Sequence, residues 1–157
     1  FTYAAWVYPT RLNADEAFGI GKDEDIGSEG KAMGVGDFFN PAGSSRLYGF
    51  IDTATTDAQS QSVDGTMKTN EWQFITMTWQ GGTAVLRLYR NGSEVSYQVQ
   101  QAPVGAPVSE ADFPLTIGAR VNSGTAEIPF NGLIDDVHVY NRVLSENEIK
   151  RLYNLGR

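Results

Sequence analysis

The chain has 157 residues, a length that fits one domain with one core. Twelve basic against nineteen acidic side chains give a formal charge of −7, which repels nucleic-acid phosphates and anionic lipid surfaces and excludes both as partners. Cysteine is absent, so thiol catalysis, Cys-ligated zinc and a disulfide framework are excluded. No apolar run approaches the roughly 20 residues that span a bilayer, so membrane insertion is not expected.

Phe1 to Pro9 reads as a strand that Pro9 ends. From Asn13 to Gly43 the chain is rich in Gly, Asp and Glu, and long loops are expected, interrupted by a strand over Lys31 to Val35. Arg46 to Asp52 reads as a strand beyond the turn Asn40-Pro41-Ala42-Gly43, and Ala54 to Lys68, polar and rich in hydroxyls, as irregular. Trp72 to Trp79 is dense in aromatic and β-branched residues and predicts a buried strand that breaks at Gly81-Gly82. Ala84 to Arg90 and Ser93 to Val99 flank Asn91-Gly92, the dipeptide that best supplies the two positive φ angles of a type I′ hairpin.

Phe113 to Ala119 reads as a short strand, and Asn131 to Tyr140 as the last one. Ser145 followed by Glu148 fits a capping box, after which Ile149, Leu152 and Tyr153 recur at helical spacing. Many short strands, Gly/Asn turns and a single terminal helix predict an all-β fold, a two-sheet antiparallel sandwich of jelly-roll type with one short C-terminal helix. A single domain over residues 1–157 is expected.

Four blocks in order carry a family resemblance. Phe1 to Pro9 is similar to "FTISAWVKP", Glu71 to Trp79 to "WHHVAVTYD", and Leu88 to Val95 to "LYVNGVEV". Leu115-Thr116-Ile117-Gly118 with Phe130 to Tyr153 resembles the closing "LTIG…FNGxIDDVRIYNRALSxxEIxxLY". Together they resemble the laminin G-like modules of the concanavalin A-like lectin superfamily. The resemblance implies a secreted or cell-surface recognition module and a structural calcium ion. It also implies an opening strand ahead of the Phe1 block, and the sandwich of residues 1–157 is expected to want that strand.

Asp135 and Asp136 are the candidate metal ligands, since calcium is a hard cation that wants carboxylate and carbonyl oxygens. Strand alternation sends the two to opposite faces and predicts Asp135 inward beside Leu133, Val137 and Val139, with Asp136, His138 and Tyr140 outward. Phe38 and Phe39, apolar residues in a polar stretch, are the candidate ligand-binding residues, because sugar rings stack on aromatic faces; Trp6, Trp72 and Trp79 are expected in the core.

The acidic run Asp23 to Glu29 meets neither the ligand spacing of an EF-hand nor the Glu-x-Asp-x-x-Glu strand of lectin-fold glucanases, and reads as a solvated acidic loop. His138 is the only histidine and no Gly-x-Ser-x-Gly elbow accompanies it, so no catalytic triad is predicted. The leading reading is a non-catalytic recognition or adhesion module that binds a glycan or an extracellular protein. The second is an assembly domain completed by a strand from a neighbouring copy. A lectin-fold hydrolase or lyase comes last.

Overall fold

A computed structural model of the protein describes residues 1–12, 17–25, 28–36, 45–122 and 124–156, with only the backbone at 17, 18, 23–25, 28, 29 and 122. The strands, in chain order, are β1 (Thr2–Pro9), β2 (Ala17–Asp25), β3 (Ser28–Val35), β4 (Leu47–Ile51), β5 (Ala58–Ser62), β6 (Gln73–Thr78) and β7 (Arg87–Arg90). They continue with β8 (Ser93–Glu94), β9 (Tyr97–Gln101), β10 (Thr116–Ile117), β11 (Arg120–Asn122), β12 (Thr125–Glu127) and β13 (Gly132–Tyr140), and helix α1 (Glu146–Leu155) follows.

Two antiparallel sheets make the sandwich, one of order β13-β1-β6-β7-β8 and one of order β10-β2-β3-β4-β5-β9. A small β11-β12 ribbon stands beside β2. Their facing sides bury Tyr3, Val7, Ile20, Met33, Leu47, Ile75, Met77 and Leu88. At Gly49 of β4 the second sheet comes so near the first that a Cβ would lie 2.4 Å from the Met77 sulfur, so a larger residue would require Met77 to move.

The five-stranded sheet buries its other face too. Ala4, Phe74 and Tyr89 point away from the sandwich core and meet Leu144 and Ile149, so α1 lies over this sheet as a third layer. The chain reaches the helix through a buried latch: the Thr2 hydroxyl donates to the Arg142 carbonyl at 2.9 Å and accepts the Leu144 N–H at 3.0 Å. The predicted capping box is present, with Ser145 and Glu148 capping each other. The predicted hairpin is present as well, with φ of 51° at Asn91 and 79° at Gly92.

Several predicted elements are corrected. The strand expected over Lys31 to Val35 is present within β3, but the stretch expected as long loops also contains β2, which pairs with it as a hairpin. The stretch expected as irregular contains β5, a buried strand of Ala, Gln and Ser. In β5 a polar composition hides a buried strand, and part of that polarity is met inside the fold: Ser60 donates to the Leu86 carbonyl at 2.8 Å. The strand expected over Ser93 to Val99 divides between the sheets as β8 and β9. Tyr97, after this crossover, reaches back so that its hydroxyl accepts the Leu88 N–H of β7 at 2.9 Å.

Candidate functional site

On β13 the expected alternation fails at one place. Ala4 of β1 pairs with His138 while Trp6 pairs with Asp135, so a β-bulge sets two residues of β13 against Ala5 alone. Asp136 takes the left-handed conformation within it, with φ 46°. C-terminal to the bulge the alternation holds: Val137 packs on the sandwich core, and His138 stacks on Tyr140 at 5.9 Å on the outer face. N-terminal to it the alternation inverts. Ile134, not Asp135, packs inward, and Asp135 and Asp136 are both exposed. The expected buried Asp135 is thereby corrected: one extra residue turns every side chain before it to the opposite face.

The inversion carries Asp135 onto the outer face beside Trp6, its partner across the ladder. There a cavity of about 520 Å³ opens at the C-terminal end of α1, lined by Trp6, Trp72, Asp135, Asp136, Tyr153 and Gly156. Each wall comes from a different element. Trp6 is held between Phe74 at 5.5 Å and Tyr153 of the helix at 5.6 Å, ring to ring. Trp72 precedes β6, stands 43% exposed and rests against Tyr8 at 5.7 Å. Gly156 caps the helix flat against Trp6, where a Cβ would fall 2.2 Å from the indole nitrogen.

The arrangement pairs apolar aromatic faces with polar acceptors. The Asp135 Oδ1 accepts the Asp136 N–H at 2.8 Å, which fixes its orientation. Among the described residues neither carboxylate has an ion-pair partner. Glu71, which precedes Trp72 in the chain, pairs with Arg90 at 2.8 Å. The cavity can stack a flat or ring-shaped apolar surface and can accept hydrogen bonds from a ligand rim.

Calcium, implied by the resemblance, is not matched by these residues. The ion takes six to eight oxygens. Among the described residues no group of three or more His, Cys, Asp or Glu side chains is arranged to hold a metal. Asp135 and Asp136 offer two exposed carboxylates, one already bonded to a backbone amide.

Of the sequence-predicted site residues, Asp135 and Asp136 belong to this cavity, whereas Phe38 and Phe39 lie outside the described residues. Of the three tryptophans expected in the core, Trp79 is buried and Trp6 is half-buried against the core beneath the helix, whereas Trp72 is exposed. Trp72 sits one residue before β6, where the strand's alternation no longer governs its side chain, and that position was the available signal.

The chain matches the Laminin_G_3 family, described as concanavalin A-like lectin/glucanases superfamily, over residues 1–150. No curated protein matches it. Among solved structures it is similar to the Ruminococcus gnavus IT-sialidase CBM40, with TM-score 0.73 and 15% identity over 97% of this chain and 81% of that one. It is also similar to a heptameric SAP-like pentraxin from Limulus polyphemus, with TM-score 0.68 and 17% identity over 97% of this chain and 68% of that one. A third is domain 4 of AbnA, a GH43 extracellular arabinanase from Geobacillus stearothermophilus in complex with arabinotriose, with TM-score 0.61 and 18% identity over 97% and 65%. At these identities the structural likenesses establish the sandwich fold.

Proposed function

Because the chain belongs to the Laminin_G_3 family of the concanavalin A-like lectin/glucanase superfamily, we propose that it is a non-catalytic, extracellular carbohydrate-binding module whose ligand lies in the Trp6–Trp72 cavity. The observation that carries this reading is Trp72, a large aromatic 43% exposed at the rim of a cavity that also holds two carboxylates. Leaving such a side chain in water costs apolar burial, and a sugar face would recover it. The neighbours support the reading, since one is a CBM40, a carbohydrate-binding module also solved with α2,3-sialyllactose, and another holds arabinotriose. Among the described residues no helix is long and apolar enough to cross a membrane.

A glycan array followed by titration tests it. Trp72→Ala should weaken the best glycan at least about tenfold with the unfolding midpoint little changed, because the side chain is an exposed aromatic anchor. Unchanged binding would move the site elsewhere on the sandwich. A structural calcium on Asp135 and Asp136 is tested in the same preparation. From the ligand count, calcium at millimolar level should leave the unfolding midpoint where EDTA leaves it; a rise of several degrees would restore the calcium reading.

One observation favours a second reading, assembly through a strand from a neighbouring copy. β13 and β10 are the outer strands of their sheets on the same side of the sandwich. Between them Phe1, Tyr3, Leu115 and Val139 line an open groove, with Val139 left 51% exposed although it points inward. Among the described residues β13 and β10 have no ladder partner on their outer sides, and an open edge beside exposed core residues is what strand complementation uses.

A further inference from the structure

Resting on the carbohydrate reading above, we propose that the Trp6–Trp72 cavity selects a cationic sugar, an amino sugar whose free ammonium group sits between Asp135, Asp136 and the indole faces. Three independent sources of negative potential meet there. The first is the pair of carboxylates, brought to the same side by the bulge and without an ion-pair partner among the described residues. The second is the aromatic wall of Trp6, Trp72 and Tyr153, whose ring faces attract a cation within about 6 Å. The third is the carbonyl end of α1: Gly156 lines the cavity, and the last turn of the helix carries no basic side chain to neutralise it.

Among the described residues no side chain that lines the cavity is cationic. A neutral sugar would satisfy the rings and leave the carboxylates merely solvated. An anionic one would be repelled. An N-acetylated amino sugar would bring its amide in place of the charge, so acetylation is the feature that the site should read. A sugar with a free ammonium supplies the apolar face for stacking, hydroxyls for the carboxylate oxygens and a full positive charge where the potential is most negative.

The test compares glucosamine oligosaccharides with N-acetylglucosamine oligosaccharides of equal length, titrated into the whole chain at mildly acidic pH and low salt. The deacetylated oligomer should bind about tenfold more tightly, and added salt should erode the difference. Asp136→Asn should abolish most of the preference while leaving the fold intact, since Asn tolerates the left-handed backbone at least as well as Asp. Trp72→Ala should weaken both oligomers. Equal affinity for the two, or a preference unmoved by Asp136→Asn, overturns the proposal and leaves the carbohydrate reading standing. Binding of neither, with a neutral glycan captured on the array and lost in Trp72→Ala, overturns the proposal alone; no glycan at all overturns both. A lysine-rich peptide that binds where the amino-sugar oligomers do not would overturn the sugar as the source of the charge.

Discussion

At the scale of single residues, Asp136 decides the site. Its left-handed backbone, φ 46°, lets the bulge form, and the bulge turns Asp135 outward beside Trp6. Glycine adopts that conformation without the cost a Cβ imposes. Asp136→Gly should therefore hold the unfolding free energy level or raise it by up to about 1 kcal/mol while weakening a cationic ligand. Chemical denaturation and the oligosaccharide titration, run on the same variant, check the two halves. A variant that loses stability and keeps binding would assign Asp136 to the fold and not to the ligand. The sequence offered Asp135-Asp136 as adjacent carboxylates, and both line the cavity; their faces were not legible, because a single inserted residue inverts alternation and leaves no mark in composition.

At the scale of elements, α1 is both a layer of the fold and a wall of the cavity, so its start and its end have separate duties. At its start the Arg142 guanidinium, 2.7 Å away, and the Ser145 backbone N–H hold the Glu148 carboxyl down to about 2. A carboxyl depressed in the folded state contributes stability that is fully present above its unfolded value near 4.5 and disappears as pH falls through about 2. The difference in unfolding midpoint between the wild type and Glu148→Gln should accordingly be constant at neutral pH and shrink across that window. Persistence of the full difference at the acid end would show that shape, not charge, is what Glu148 contributes. The capping box itself was legible from Ser145 and Glu148, because caps are local and a few residues suffice to specify them. The Thr2 latch was not, since it joins the first strand to the approach of the helix across almost the whole chain.

At the scale of the whole molecule, the sandwich is closed by the helix layer on one face and open along the β13–β10 side. Leu115 and Val139 are exposed there at 44% and 51%, and Ile117 of β10 at 52%. If copies complement one another through this edge, sedimentation should show a concentration-dependent dimer, and Val139→Lys should dissociate it, because an inward charge on an edge strand blocks pairing. A strict monomer at high concentration would remove the assembly reading and leave carbohydrate recognition alone. The fold class, the terminal helix and the Asn91-Gly92 hairpin agree with their expectations, since each rests on local signals that repeat along the chain. β3 contains the strand expected over Lys31 to Val35, whereas β2 and β5 were not foreseen, as each is completed on one side by a strand far along the chain, β10 and β9.

The sequence by itself determined what local physical chemistry can determine: a chain of acidic charge without cysteine, short antiparallel strands, one turn that demands positive φ, one capped helix, and a pair of carboxylates worth watching. Only the tertiary structure decided where the chemistry gathers. Trp6, Trp72, Asp135, Asp136 and Tyr153 come from three separate regions of the chain, and no spacing rule connects them. They meet because the bulge in β13 reverses one strand's facing and the helix ends beside it, and both are settled by pairing and packing across the fold.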